Sequence, residues 1–142
     1  MIILQDSREQ KPWKFEQETR VVTLPTGDYS ALGLEDDFVI ERKGLGDMVR
    51  SATIDRERFR KELRRMSEFR WRMVVIDASI YQLRTHRYYS GQQPNTVLRN
   101  IANDSLFFQV PFIWSGGRKH SAPLVLMYFQ EAFAVKMLTS MG

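Results

Sequence analysis

The chain has 142 residues, 43% hydrophobic and 12% aromatic, enough apolar material to fill one core and to exclude disorder as its main state. It has no cysteine and only two histidines, His86 and His120, which excludes a disulfide scaffold, a thiolate metal site, a cysteine nucleophile and a histidine cage. The net charge of +4 is unevenly spread, because eleven Lys/Arg stand against six Asp/Glu between Glu41 and Arg72 while the rest sums to −1, so the basic character of a polyanion binder lies in one segment.

Residues 1–6 read as a short apolar strand, too short for a secretion signal. A charged loop around Pro12 leads to a β-branched strand over 21–24, which the turn chemistry of Pro25-Thr26-Gly27-Asp28 stops. Residues 29–34 and 38–43 form two strands around the polar tip Glu35-Asp36-Asp37, the pattern of a hairpin, and Gly44 ends the second. The clearest helix runs over 55–69. Phe59, Leu63 and Met66 give it one apolar stripe, while Arg56, Arg60 and Arg64 repeat every four residues on another face that reads as exposed. Residues 73–76 are a buried strand ending at Asp77, and a basic, aromatic loop follows at Arg84-Thr85-His86-Arg87-Tyr88-Tyr89. Pro94 suits the first position of a helix to about Phe107, because its missing N–H has no partner there anyway. A strand over 110–114 and a terminal helix opened by Ser121-Ala122-Pro123 complete the chain. The longest apolar run, residues 124–129, falls far below the ~18–20 residues a membrane span needs, so a soluble, intracellular protein is expected. A hairpin-rich start followed by alternating strands and helices predicts one α/β domain over 1–142, a mixed sheet flanked by helices.

Charged groups gather where these strands end: Asp6, then Gly27-Asp28, then Glu41-Arg42-Lys43, with Asp47 four residues beyond the lysine. Residues two apart on a strand share a face, so Glu41 and Lys43 are neighbours while Arg42 points away, where a structural ion pair suits it as well as a substrate contact. If the strand bearing Asp28 pairs with this one, two carboxylates and an ammonium converge at one sheet edge. Hard divalent cations favour such oxygen ligands, completed by water and a substrate phosphate, and a lysine beside the ion can position the attacking water and offset charge on the phosphate. That set of groups suits phosphodiester hydrolysis.

The string Gly27-Asp28-Tyr29, Glu41-Arg42-Lys43 and Asp47 resembles the GD…ERK…D signature of the XPF-type structure-specific endonucleases, a branch of the restriction-endonuclease-like PD-(D/E)XK superfamily. Asp6-Ser7-Arg8-Glu9 is similar to that family's D-x-R-E, and Arg58-Phe59 to its arginine followed by an apolar residue; the resemblance covers about residues 1–80. It implies a restriction-endonuclease-like fold in which Asp28 and Glu41 hold Mg²⁺ (or Mn²⁺) near the Arg42 carbonyl, with Lys43 as the catalytic lysine. Asp6 then assists the metal site or a second ion, and Asp47, at the start of the next helix, orients Arg42 or Lys43. The resemblance further implies DNA as substrate, with flap, fork or junction structures cut in repair or recombination, and a homodimer, to which the apolar excess of the C-terminal helix is suited. No helix-hairpin-helix module is expected within 1–142, which suits a protein that works alone or with a separate DNA-binding partner. The basic helix, through Arg56, Arg58, Arg60, Lys61 and Arg64, and Arg42 beside it, is expected to contact DNA phosphates. Two other readings stand beside this one. A nuclease fold retained as a non-catalytic scaffold for DNA or a partner is disfavoured by the intact Asp28, Glu41 and Lys43. A Holliday-junction resolvase or restriction-type enzyme shares the chemistry but not the Glu-Arg-Lys spelling with its trailing aspartate.

Overall fold

Side chains alternate across the two central strands. Phe38 and Ile40 point to one face with Met73 and Val75, while Val39 points to the other with Val74 and Ile76, and all seven are buried. A sheet apolar on both faces needs a covering layer on each. The computed structural model, which describes residues 1–141, supplies both. Its elements are β1 (Ile3–Asp6), β2 (Thr19–Val22), β3 (Tyr29–Ala31), β4 (Phe38–Lys43), α1 (Leu45–Ala52), α2 (Arg56–Met66), β5 (Trp71–Ile76), α3 (Ile80–Arg84), α4 (Pro94–Phe108), β6 (Phe112–Trp114) and α5 (Arg118–Met141). The strands lie in the order β2-β1-β3-β4-β5-β6. β1 with β2, β4 with β5 and β5 with β6 are parallel, while β3 runs antiparallel to both of its neighbours. This is the expected α/β architecture with a mixed sheet.

Met48, Phe59, Leu63, Leu83, Val97 and Ile101 from α1 to α4 pack on the face bearing Val39, Val74 and Ile76. Val125, Phe129 and Ala132 of α5, together with Trp13 from the β1–β2 loop, cover the face bearing Ile40 and Val75. Among the described residues no helix is long and apolar enough to cross a membrane.

Several elements differ from the sequence-based expectation. β2 begins two residues earlier than the β-branched run suggests, because its register with β1 pairs Ile3 with Thr19 and Asp6 with Val22. Leu24 has already left the sheet, its N–H donating to Asp6 Oδ1 at 2.9 Å. α1 opens at Gly44 without a side-chain cap and carries Gly46, and its one local mark is the stripe Leu45, Met48, Val49 and Ala52. α3 is a five-residue helix closed by a capping box between Ser79 and Gln82. α5 starts before Pro123 and carries it internally, with the loss of one backbone hydrogen bond.

Candidate active site

Asp28 immediately precedes β3 and is fixed from both sides. Its N–H donates to the Ile40 carbonyl at 2.8 Å, and its own carbonyl accepts the Asp6 N–H at 2.8 Å. Its carboxylate Oδ2 accepts the Arg42 backbone N–H at 2.8 Å. This close seating requires the glycine before it. Gly27 has φ +79°, and a Cβ there would lie 2.3 Å from Val39 Cγ2 and 3.1 Å from the Ile40 carbonyl oxygen.

Strand alternation brings Glu41 and Lys43 to the same face as Val39, and the structure places them as neighbours. Glu41 is 6% exposed, and Lys43 Nζ stands 3.7 Å from its Oε2. The same ammonium lies 5.0 Å from the centroid of the Phe59 ring of α2, which steadies it over this face. Burial most of all, then the charges of Asp28 and Glu62, push the Glu41 carboxyl well above the usual carboxylate range. Burial also raises Asp28, opposed by hydrogen bonding with Glu41 and with the Arg42 N–H. Two adjacent buried carboxyl groups make it costly to ionise both, a cost that a bound cation would offset.

Glu62 is the residue that sequence reasoning missed. It projects from α2 into a cleft of about 230 Å³ bordered also by Asp6, Arg8, Asp28 and Arg65. Its signal was hidden in an arginine-rich helix, where only the packing of α2 on the sheet selects the face that meets the site. Among the described residues no three carboxylate or imidazole groups gather closely enough to grip an ion by themselves. Two carboxylates backed by water and a phosphate are the donor set that remains, and an oxygen-only set suits a hard divalent cation.

Asp6 sits beside this cleft with both carboxylate oxygens already engaged. Oδ2 accepts from Arg8 N at 3.1 Å and Arg8 Nε at 2.8 Å, and Oδ1 accepts from Leu24 N at 2.9 Å and Arg8 Nη2 at 3.2 Å. Burial alone would raise its pKa, but these donors together outweigh burial and hold it below the ordinary value. Asp47 is exposed on α1. Among the described residues it makes no hydrogen bond or ion pair with Arg42 or Lys43, so the orienting contact expected of it is not formed.

Arg42 points to the opposite face, as alternation requires. There it pairs with Glu9 through Nε–Oε2 at 2.9 Å and Nη2–Oε1 at 3.1 Å, and with Asp77 through Nη1–Oδ2 at 3.1 Å. Burial disfavours its charge, yet these carboxylates outweigh it and raise the pKa further. Asp77 Oδ1 also accepts from Trp13 Nε1 at 2.8 Å and Ser121 Oγ at 2.5 Å.

The arginine repeat of α2 faces solvent only in part: Arg64 is exposed, while Arg56 and Arg60 are half-buried. Arg56 and Arg60 both reach the buried Asp104 of α4, and Arg60 and Arg64 lie over the Phe108 ring. Arg58, Lys61 and Arg65 follow one another at i, i+3 and i+7; Arg65 borders the cleft, while Arg58, paired with Asp55 at 3.2 Å, and Lys61 border a neighbouring hollow. Arg58 and Lys61 belong to the expected DNA-contacting set.

A family profile described as the ERCC4 domain matches residues 5–127. Among solved structures the chain is similar to XPF from Aeropyrum pernix, with TM-score 0.74 and 17% identity over 93% of this chain and 61% of that one. It is similar also to XPF from Aeropyrum pernix in complex with DNA, with TM-score 0.72 and 16% identity over 94% of this chain and 65% of that one. The chain thus spans less than two thirds of the length of these structures. No curated protein sequence matches it. With its sheet order, its paired carboxylates and the profile match in agreement, the chain belongs to the ERCC4 domain family and has the fold of an XPF-type nuclease domain.

Proposed function

We propose that this protein is a divalent-metal-dependent endodeoxyribonuclease that hydrolyses phosphodiester bonds in branched DNA, such as flaps, forks or junctions, in repair or recombination. The observation that carries the reading is the buried pair Asp28 and Glu41 with Lys43 Nζ 3.7 Å from Glu41. Three acidic groups, Asp28, Glu41 and Glu62, act on one another there with a single nearby ammonium. A site that concentrates negative charge under burial fits a cation better than it fits its own ionised side chains. Asp28 and Glu41 would hold Mg²⁺ or Mn²⁺, whose chemistry is to polarise the phosphoryl group and make water more acidic. Lys43 orients water through Nζ and offsets charge on the phosphate. Asp6, its oxygens already used, positions Arg8 and the segment leading to Asp28.

Arg8, Arg58, Lys61 and Arg65 are the cations placed to hold the phosphates of the strand being cut. Arg42, Arg56 and Arg60 are paired with acids within the fold, and Arg64, though exposed, lies 5.6 Å from the centre of the Phe108 ring. α5 leaves Met127, Met137, Leu138 and Met141 more than half exposed, which supports a homodimer through the C-terminal helix. Light scattering at micromolar concentration tests this: twice the 16.7 kDa chain mass is expected, and a single chain mass overturns it.

Labelled flap, fork, Holliday-junction and linear duplex DNAs, incubated with Mg²⁺ or Mn²⁺, test the activity. The wild type should cut branched forms in preference to the linear duplex, and Asp28→Asn and Lys43→Ala should each lose about 10²-fold or more. No cleavage by the wild type favours the scaffold reading, and equal cleavage by the variants overturns the site.

A further inference from the structure

Between Asp77 and Asp104 lie 26 residues without a single acid, whereas Arg84, Arg87, Arg99 and His86 fall among them. The segment holds α3, the first part of α4 and the loop between them, and it follows β5 at the level where Asp77 N–H meets the Lys43 carbonyl at 2.8 Å. Leu83 and Tyr88 pack into the same apolar layer as Phe59 and Val39. The loop therefore stands at the same end of the sheet, and on the same face, as Glu41 and Lys43.

Its internal contacts make it stiff. The capping box of Ser79 and Gln82 fixes its start. His86, in the left-handed region at φ 58°, reverses the chain. Its ring stacks on Tyr88 with centroids 4.2 Å apart, and its Nε2 meets the Ser90 carbonyl at 2.7 Å. Tyr88 Oη donates to the Gln92 carbonyl at 2.6 Å. The groups left over point outward. Tyr89 is fully exposed, and among the described residues the exposed guanidinium groups of Arg84, Arg87 and Arg99 have no hydrogen-bond or ion-pair partner. A preorganised loop that spends its own polar groups on rigidity and presents one aromatic ring among unpaired cations matches a single-stranded nucleic acid. Its phosphates need cations, and its unstacked bases offer faces that a duplex hides.

We propose that the loop 84–93 is a binding platform for a single-stranded DNA arm, with Tyr89 stacking on a base and Arg84 and Arg87 contacting the phosphates on either side. This rests on the reading of the protein as a nuclease of branched DNA, and adds a reason why a fork or flap is favoured over a continuous duplex: the arm, not the duplex, engages the loop.

Fluorescence anisotropy of the full chain with a labelled fork carrying single-stranded arms, the same fork with abasic arms, and a blunt duplex tests it. Tyr89→Ala should weaken binding of the fork about tenfold while leaving the blunt duplex within about twofold, and Tyr89→Phe should restore the fork. On the abasic-arm fork, wild type and Tyr89→Ala should bind alike. Arg84→Ala with Arg87→Ala should reduce the salt slope for the fork by about 1.4, at about 0.7 per lost phosphate contact. Fork binding unchanged by Tyr89→Ala, with metal-dependent cutting intact, overturns the platform alone. Equal losses on fork and duplex also overturn it, and so does a concentration-dependent mass change in Tyr89→Ala without DNA, which would assign the loop to a second copy. Failure of the wild type to bind any of the three DNAs overturns the nuclease reading together with the platform.

Discussion

Asp28 and Glu41 are set at their separation by backbone, not by side-chain packing, and Gly27 is the residue that permits it. Gly27→Ala forces a methyl group to 2.3 Å from Val39 Cγ2 in a backbone conformation that L residues avoid, so a loss of about 2–4 kcal/mol in stability is expected from chemical denaturation. Glu62 acts on the pair through its charge. Glu62→Gln removes one of the influences that raise both carboxyl groups, so the acid limb of the cleavage pH profile should move to lower pH; a limb that stays in place or moves up would assign Glu62 no electrostatic hold on the pair. Asp28, Glu41 and Lys43 were legible because a strand's two-residue repeat and a spaced motif both mark them. Glu62 was not, and Glu9 was marked by its motif without its partner, since each meets its target across the fold and nothing in the local spelling says which face it takes.

Helix α2 shows what periodicity gives and what it withholds. Its repeat of arginines every four residues correctly defines a face, but the partner of that face, Asp104, lies 44 positions beyond Arg60. The consequence is testable by separating stability from binding. Asp104→Ala leaves Arg56 and Arg60 partly buried without their acid, and a loss of about 2 kcal/mol is expected, with the DNA salt slope unchanged. Lys61→Ala and Arg65→Ala should do the reverse, leaving Tm in place and lowering the slope for duplex DNA by about 0.9 each. If Arg60→Ala lowers the slope instead, the two faces have been assigned the wrong way round. Short elements fared worst in the sequence. α3 carries too few residues for a repeat to show, and the start of α5 was displaced by a proline that reads as a first-turn residue but sits inside the helix.

For the whole molecule, the raised carboxyls and the lowered one act on stability in opposite directions. Glu41 has a folded pKa above its unfolded value of 4.5. In that window the folded state holds more protons than the unfolded state, so this contribution is present at acid pH and is lost as pH rises through the folded value. Asp6, held below 3.8, contributes above its unfolded value and loses that contribution as pH falls through its lowered one. In EDTA, melting followed from pH 5 to pH 8 should therefore show Tm falling for the wild type more than for Glu41→Gln, with Mn²⁺ restoring part of the loss at the alkaline end by binding the ionised pair. Parallel curves for the two proteins in EDTA would mean that Glu41 is ionised in the folded state without cost. The sheet between helices was within reach of the sequence because strand alternation and helix stripes record burial, whereas the strand order was not. The charged cluster on the far face was not, because it is assembled from four separated stretches. Glu9, Arg42, Asp77 and the start of α5 meet at one guanidinium and one carboxylate, and Arg118 reaches back to the Lys11 carbonyl at 3.1 Å, 107 positions away. During synthesis on a ribosome, that knot stays untied until α5 clears the exit tunnel, so the strand bearing Glu41 acquires its final support only when the last helix arrives.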